Sequence, residues 1–582
     1  MAEAEGAGGS PAAEEVKPYR IHVSTKYLDL TKQKLELTRL PHELSQPRAE
    51  DWWEPKAQVE PLIDYWLEKY SWRDQETNLN NIAQFRTAIS VPSSEAPLRI
   101  HFIHVRSAHA NALPLLLIPP FPFSNLSLTH LVKPLTDPED VANNQPFHLV
   151  IPSLPGLGFS DAFPNNISEI STAADMLDTL MRRLSYSHYL VSNAGAAQAS
   201  PAEIDWRLVS SIATHYPDSC VGSHFISPPI ASPKLSEAPW EWTKWSIASF
   251  FHAGILGYSD DDFSALKQAR KPSTPAGPSV GGSVRKKERF STAELGLNRL
   301  GLREPNTLAY AMCDSPVGLL VFVLAGLRLL SQRAQFTPDE IITFTQLAWV
   351  PGPEYAMRFW AHCAAHDERI EKDKGKSKGR KDGAKPRVAI TVFLGEKGDE
   401  AVQDGNAADA ETIPMVPIAR GEGSSYSCPA WGNAHYIVVF SQRLPGRAGL
   451  LAWERPETVA TGVRGLAREI LRVDERIKPS AAEAATVPLV QVVVPQETAA
   501  PTVPATTSPA GPAKPSTPSP SGSSSRLSPP AQSRKGKEPE SPSSVFLSAI
   551  PEEQRHEGGS RTPFSEGESP DTLVVTTPSV SP

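Results

Sequence analysis

FHLVIPSLPG, at positions 147–156, is a short apolar run that ends in proline, serine and glycine. Five similar runs lie before and after it: LPLLLIP (113–119), SHYLVSN (187–193), VGSHFISPP (221–229), RVAITVFLG (387–395) and HYIVVFSQ (435–442). Continuous apolar strands separated by helical stretches are typical of a parallel sheet that is covered on both faces. The sequence therefore predicts an α/β fold with a mostly parallel sheet and helices on both faces.

The long interval between the strands near residues 225 and 388 has a mostly helical pattern that is rich in Trp and Leu. We predict that it forms a helical lid over 231–386, inserted between core segments 111–230 and 387–475. Turn formers and cations predict disordered loops near 270–290 and 371–386. The second loop leaves open a nuclear or anionic-surface signal, although a solvated loop is favoured.

The chain before residue 111 begins with helical patterns and ends in a strand. LDLTKQKLELTRLP (28–41) mixes Leu with charged residues until a proline ends it, and VEPLIDYWLEKYSWRDQETNLN (59–80) carries one apolar face. LRIHFIHVRS (98–107) has the alternation of a half-buried strand at a sheet edge. We assign 19–110 to an N-terminal domain that leads onto the sheet.

Both ends of the chain are poor in large apolar residues. We expect residues 1–18 and the Pro- and Ser-rich tail at 481–582 to be disordered, because they cannot bury enough apolar surface to offset the entropy of ordering. Such a tail is suited to protein partners. The first residues lack the basic and apolar regions of a secretory signal, which predicts an intracellular and most simply cytoplasmic protein.

The composition argues against several functions. A net charge of −8 gives no reason to expect nucleic acid binding. The longest apolar run, Val317–Leu327, is shorter than the roughly 20 residues of a membrane span and indicates a buried helix. The four cysteines are scattered without the spacing of a metal or redox site, so we expect free thiols, no metal and no cofactor.

Several motifs resemble the microsomal-type epoxide hydrolases, including their N-terminal domain. They are TRLP (38–41), YWLEKYSWRDQETNLN (65–80), IHFIHVRS (100–107), PSLPGLGFSD (152–161), CDSPVGLL (313–320) and ERPETVA (454–460). The resemblance implies an α/β-hydrolase fold and a hydrophobic epoxide as substrate. It also implies an Asp that forms an ester with a ring carbon, a His oriented by a second acid, and two lid Tyr hydroxyls that donate to the leaving oxygen.

Asp205 is the candidate nucleophile under this resemblance. The family's Asp–Trp pair is kept as Asp205 and Trp206, but about ten extra residues separate the pair from the preceding strand. Glu203 and Arg207 also stand where a tight turn requires small residues. The alternative, that Asp205 only caps a helix that begins at Trp206, fits the sequence equally well.

The other catalytic positions of the family are substituted. PPFP replaces its His-Gly-x-Pro loop, which leaves the N–H of Phe121 as half of an oxyanion hole, or a loop that only shapes the pocket. Glu396 is the favoured second acid, ahead of Asp399, although a solvated loop carboxylate is the commoner role. Gly449 occupies the position of the His base, and His435 precedes a strand and is expected at its amino end.

Counting from neighbouring motifs places Leu297 and Trp360 where the lid tyrosines of the family stand, with Tyr310 and Tyr355 nearby as substitutes or as packing residues. The leading hypothesis is an epoxide hydrolase-like enzyme with a degenerate site. The alternative is a catalytically inactive protein that binds a hydrophobic small molecule or a partner. A hydrolase that uses Ser192 as its nucleophile is the third and weakest hypothesis. It ranks last because we expect Ser192 to lack both flanking glycines and a His.

Overall fold

The computed structural model describes residues 15–42, 56–91, 94–164, 169–270, 305–331, 335–365, 385–395, 413–414 and 426–478. Several expectations fall outside these ranges. They concern most of residues 1–18, most of the loops near 270–290 and 371–386, the tail at 481–582, and the positions Leu297, Glu396 and Asp399.

Within the described residues, nine strands form one sheet and two more form a small antiparallel pair. The strands of the sheet are β1 (Lys17–Pro18), β2 (Gln84–Ile89), β3 (Leu98–Val105), β4 (Leu113–Ile118), β5 (Phe147–Pro152), β6 (Tyr189–Asn193), β7 (Cys220–Ile226), β9 (Arg387–Phe393) and β11 (Ile437–Leu444). The pair is β8 (Gln335–Phe336) with β10 (Ile413–Pro414).

The sheet runs in the order β1-β2-β3-β5-β4-β6-β7-β9-β11. The six strands β5-β4-β6-β7-β9-β11 are parallel to one another. β1, β2 and β3 extend the sheet beyond β5 with antiparallel pairing. All six apolar runs of the sequence form strands of the parallel part, so the predicted α/β-hydrolase architecture is confirmed.

Helices cover both faces of the sheet. They are α1 (Thr25–Glu36), α2 (Lys56–Glu68), α3 (Trp72–Asn80), α4 (Val132–Thr136), α5 (Glu169–Arg183), α6 (Ile204–His215), α7 (Pro239–Phe251), α8 (Asp260–Arg270), α9 (Pro305–Asp314), α10 (Pro316–Leu330), α11 (Pro338–Trp349), α12 (Glu354–Ala365), α13 (Leu451–Glu454) and α14 (Pro456–Val473). Side chains alternate along β4: Leu116 packs in one apolar core with α5 and α6, and Leu115 packs in another with α14.

The stretch 59–80 is helical as expected but is divided into two helices, because the Ser71 side chain accepts a hydrogen bond from the N–H of Asp74 as the cap of α3. One N-terminal expectation was wrong. The strand at 98–107 is not at an edge, because β2 pairs with it on one side and β5 on the other. β2 reads QFRTAI, in which polar residues hide the strand pattern.

The apolar run Val317–Leu327 lies in α10, where Leu320, Leu324 and Leu327 are fully buried, as predicted. In the part of the chain that the structure describes, no single helix has the length and apolar character needed to cross a membrane. α9 and α10 together meet the requirement by length and composition, with a bend of 115° between them.

Candidate active site

The carboxyl ends of β4 and β6 meet at the centre of the sheet, where α/β proteins usually place their sites. The N–H of Ala194, just after β6, donates to the carbonyl of Ile118 at the end of β4 over 2.9 Å. A methyl group on Gly195 would lie 2.6 Å from Cβ of Pro120. The Pro-rich loop therefore packs directly on the backbone after β6, and only glycine fits at position 195.

Asp205 reaches the same place from the first turn of α6. Two short 3₁₀ turns, Ala197–Ala199 and Pro201–Glu203, carry the chain from β6 to α6. The Asp205 side chain is completely buried, and its Oδ2 lies 3.5 Å from the position of a methyl group on Gly195. The extra residues therefore loop out and return the carboxyl group to the end of β6.

The backbone is left-handed at the two residues that precede α6. Ala202 has a φ of 52° and Glu203 a φ of 55°, values that non-glycine residues adopt at a cost of about 1 kcal/mol or more each. Glu203 is the N-cap residue of α6, and the helix begins at Ile204. The alternative that Asp205 caps a helix beginning at Trp206 was therefore wrong, because the helix starts earlier.

Burial dominates the electrostatics of Asp205. It raises the pKa of the carboxyl group to about 7, against the smaller lowering effects of the Ser200 side chain and the N–H of Trp206. Neither carboxyl oxygen makes a hydrogen bond of ordinary geometry to the residues that the structure describes. A large fraction of Asp205 is therefore protonated at neutral pH, which weakens it as a nucleophile.

The space in front of these strand ends is a small apolar cavity of about 10 Å³. It is lined by Pro120, Phe121, Phe123, Gly195, Ala196, Ala199, Leu330, Gly449, Leu450, Leu451 and Trp453. Such a volume holds about one water molecule at most. Among the residues that the structure describes, none that lines the cavity has an ionisable side chain, so this part of the wall supplies neither an acid nor a base.

Gly449 lines this cavity, with a φ of 64°. It contributes no side chain at the position where the resemblance implies a base. His435 is exposed and precedes β11, at the amino end of that strand. His130 lies outside the cavity wall, where its Nε2 is 2.6 Å from the carbonyl of Ala452. In the described chain, no histidine lines the cavity.

The residues proposed for the lid are spread apart. Tyr310 on α9 is 83% exposed, so its side chain faces solvent. Tyr355 on α12 is 42% exposed. The guanidinium carbon of Arg358 lies 5.5 Å from the centre of the Tyr355 ring. Trp360 is buried in the core, and Trp206 packs edge-on against Phe225 at 6.4 Å. None of these four side chains lines the cavity.

Sequence reasoning missed one buried polar chain. Ser192 Oγ lies 2.9 Å from Nδ1 of His224, and Nε2 of that ring lies 2.9 Å from Oγ1 of Thr391. All three are fully buried, and burial lowers the pKa of His224 to about 3. The expectation that Ser192 lacks a histidine was wrong, because Ser192 and His224 are paired in register across β6 and β7. The sequence alone does not give this pairing, because it depends on the register between β6 and β7.

This chain of side chains is covered by α14. A methyl group on Gly462 of that helix would lie 2.3 Å from the His224 ring. No substrate can reach a serine enclosed in this way, so the chain ties β6, β7 and β9 together as a cross-strand bridge. Its hydrogen bonds satisfy polar groups that would otherwise be costly to bury.

Comparisons with known proteins agree with this architecture. Residues 16–128 match the family described as epoxide hydrolase N terminus. The chain is 26% identical over 320 residues to juvenile hormone epoxide hydrolase 1 of Ctenocephalides felis, covering 53% of this chain and 59% of that protein. It is 24% identical over 374 residues to epoxide hydrolase 1 of Sus scrofa, covering 60% of this chain and 73% of that protein. The match thus spans less than two thirds of the flea protein.

The crystal structure of juvenile hormone epoxide hydrolase from the silkworm Bombyx mori has the same fold. It superposes with a TM-score of 0.56 at 19% identity, over 79% of this chain and 95% of that one. The N-terminal match and the curated relatives support the epoxide hydrolase family for this chain, and their low identity marks the chain as divergent from them.

Proposed function

We propose that this protein is an epoxide hydrolase-like α/β-hydrolase that has lost turnover and acts by binding a hydrophobic small molecule or a protein partner. The observation that carries the proposal is the apolar wall of the cavity beside Asp205, where Gly449 contributes no base. An ester at Asp205 would be hydrolysed only if a base activated a water molecule. Losing one member of such a catalytic set usually lowers the rate by several orders of magnitude.

A second candidate function is favoured by the position of Asp205 itself. Its carboxyl group lies beside Gly195, at the carboxyl end of β6. In its ionised form, one oxygen would attack an epoxide carbon, the ring C–O bond would break, and the ring oxygen would take a proton from solvent. The product is a hydroxyalkyl ester of Asp205. Without a base this ester would accumulate, and the protein would be modified once rather than turn over.

One experiment separates the two candidates. The purified full chain is incubated with styrene oxide, diol is measured in solution, and the intact protein mass is measured together with a peptide map. Asp205→Asn is the test variant, and Asp29→Asn, at an exposed position on α1, is the matched control.

The first candidate, a protein that only binds, predicts no diol above the protein-free rate and no adduct on Asp205. An adduct on Asp205 that is absent from Asp205→Asn, without diol, supports the second candidate. Multiple turnovers of diol that vanish only in Asp205→Asn would contradict the loss of turnover and restore the enzyme hypothesis.

A further inference from the structure

A second and larger cavity of about 550 Å³ opens where the N-terminal strands meet the loop after β5 and the start of α12. Its walls include Tyr19, Arg86 and Leu98 from the N-terminal side, Phe159 and Phe163 from the loop, and Tyr355 from α12. We call this cavity the N-terminal cleft. Among the described residues, it shares no lining residue with the small cavity beside Asp205. Its volume lies within the range of small-molecule sites.

The N-terminal cleft carries an excess of positive charge. Asp161 lies in its wall and accepts hydrogen bonds from Arg99 through its Nε and NH2 groups and its backbone N–H, at 2.9, 3.0 and 3.0 Å. Asp161 also accepts one bond of 3.1 Å from NH2 of Arg86. Two guanidinium groups thus share one carboxylate, which leaves one positive charge uncompensated.

Arg86 has spare hydrogen-bond donors. Its bond to Asp161 is the one it makes to the residues that the structure describes, and its Nε is buried without a partner among them. Its guanidinium lies 5.5 Å from the ring centre of Tyr19, so the two side chains are adjacent. The Tyr19 hydroxyl makes no hydrogen bond to another residue in the described ranges. The buried Nε is closed to solvent, but NH1 makes no hydrogen bond to a described residue and can donate to an anionic acceptor in the cleft.

Most of the remaining wall is apolar or aromatic, and Ser94 and Ser160 are its polar members. Phe159 is close to Tyr19, with ring centres 5.7 Å apart, and Leu98 and Phe163 extend the surface. Gly156 and Gly158 have positive φ values of 77° and 50°, which shape the loop that forms one side. Gly156 also allows the close approach of Tyr355, since a methyl group there would lie 3.0 Å from Cβ of that residue. One end of the cleft is therefore cationic, and the remainder suits an apolar body.

We propose that the N-terminal cleft binds a small monocarboxylate with an aromatic or branched aliphatic body. The carboxylate accepts hydrogen bonds from Arg86 and from the Tyr19 hydroxyl, and the body packs on Phe159, Phe163 and Leu98. A single negative charge matches the single uncompensated cation. A phosphate dianion fits less well, because its second charge would face Asp161. This site does not depend on whether Asp205 reacts.

The test uses the full chain and two probes of the same shape, naphthoate and the neutral naphthamide. Binding is measured by titration calorimetry for the wild type, Arg86→Gln, Tyr19→Phe and the control Arg472→Gln. Arg472 is an exposed arginine paired with Glu469 on α14. Its substitution by Gln removes the same charge at a distant place on the surface. We expect naphthoate to bind about tenfold or more tightly than naphthamide, because hydrogen bonds to a charged group are worth that much.

Arg86→Gln should abolish this preference, and Arg472→Gln should keep it. Tyr19→Phe removes one hydroxyl with little risk to folding and should weaken naphthoate binding by roughly threefold to tenfold while leaving naphthamide unchanged. Equal affinity of the wild type for the two probes, or unchanged naphthoate binding in both Arg86→Gln and Tyr19→Phe, would overturn the proposal. Either result leaves the outcome of the styrene oxide experiment unaffected.

Discussion

Asp205 is fully buried, lies in the first turn of α6, and follows two residues with left-handed backbone. A folded protein tolerates such a carboxyl group most easily when it is protonated, since a buried charge without partners is expensive. The pKa of about 7 reflects that cost. The residue that the sequence favours as a nucleophile is thus also a source of instability at alkaline pH.

Asp205→Asn should stabilise the protein at pH 8 and change its pH dependence. The folded pKa of about 7 exceeds the unfolded value near 4, so the wild type loses stability as the pH rises from about 4 to 7 and no further above that. Three pKa units correspond to at most about 4 kcal/mol, and the neutral amide removes this loss. Urea unfolding at pH 5 and pH 8 measures the unfolding free energy of the wild type and of Asp205→Asn and checks this prediction. The advantage of the variant should be larger at pH 8, and two parallel pH curves would contradict the assignment.

The positions of single residues could be predicted from the sequence where it was enough to count residues from a predicted strand or motif. His435 was expected before a strand and lies there, and Gly449 follows β11 as the motif count implied. The return of Asp205 to the end of β6 depends on the path of the residues between Asn193 and Ile204, which no linear rule predicts. The pairing of Ser192 with His224 depends on strand register, which is fixed only when the whole sheet forms.

At the scale of elements, α14 packs against the sheet through glycines. Gly462 faces the ring of His224, and Gly465 faces the ring of Phe440, where a methyl group would lie 2.6 Å away. Large side chains on the strands therefore fit into gaps on the helix. This complementarity holds β7 and β11 to α14, and the helix cannot move closer or rotate without a clash.

Gly462→Ala should destabilise the protein, although alanine favours helices. The added methyl group would stand 2.3 Å from His224, and overpacking of this kind costs roughly 1–3 kcal/mol or more. Gly326→Ala in α10 is the matched control, because no atom lies within 4 Å of its added methyl group. It should stabilise by roughly 0.5–1 kcal/mol. Thermal unfolding of both variants measures the difference, and shifts of equal sign would refute the packing argument.

A buried ion pair connects α8 to β11. Arg443 donates from Nε and NH2 to the two oxygens of Asp262 at 2.8 and 2.9 Å, and Asp262 is fully buried. Asp262→Ala should cost about 3–5 kcal/mol, because it leaves a poorly solvated guanidinium without its anion. Glu469→Ala, which breaks the more exposed pair with Arg472, should cost less than about 1 kcal/mol. Chemical denaturation of the two variants provides the comparison, and similar losses would argue against a strong buried pair.

The element boundaries show which local signals carry structure. Continuous apolar runs predicted all of the parallel strands, because a strand covered on both faces needs apolar residues throughout. The helical stretch at 59–80 is divided into two helices, since the cap at Ser71 outweighs the continuity of the apolar face. The polar sequence of β2 could not reveal a strand, because its pairing with β1 and β3 supplies its order.

Across the whole molecule, the buried titratable groups act in two opposite directions. Burial lowers the pKa of His101, His104 and His224 to about 3 and that of His148 to about 4. These rings stay neutral in the folded state at pH 5, whereas the unfolded chain protonates them below about 6.5. The unfolding free energy contributed by these histidines therefore decreases as the pH falls from 6.5. Protonation of Asp205 increases the unfolding free energy over the same range.

The four histidines should prevail over Asp205. At pH 5 they take up about four protons on unfolding and Asp205 releases about one, so these groups together predict an uptake of about three. The unfolding free energy should accordingly fall as the pH is lowered from 6.5 to 5. The slope of that free energy against pH gives the proton number directly, and His148→Gln should reduce it by about one. Leu37→Gln, at an exposed position without an ionisable group, serves as the control and should leave the slope unchanged. A flat or inverted slope in the wild type would mean that the histidines are accessible to protons in the folded state, and hence that β3, β5 and β7 are less tightly covered than their burial implies.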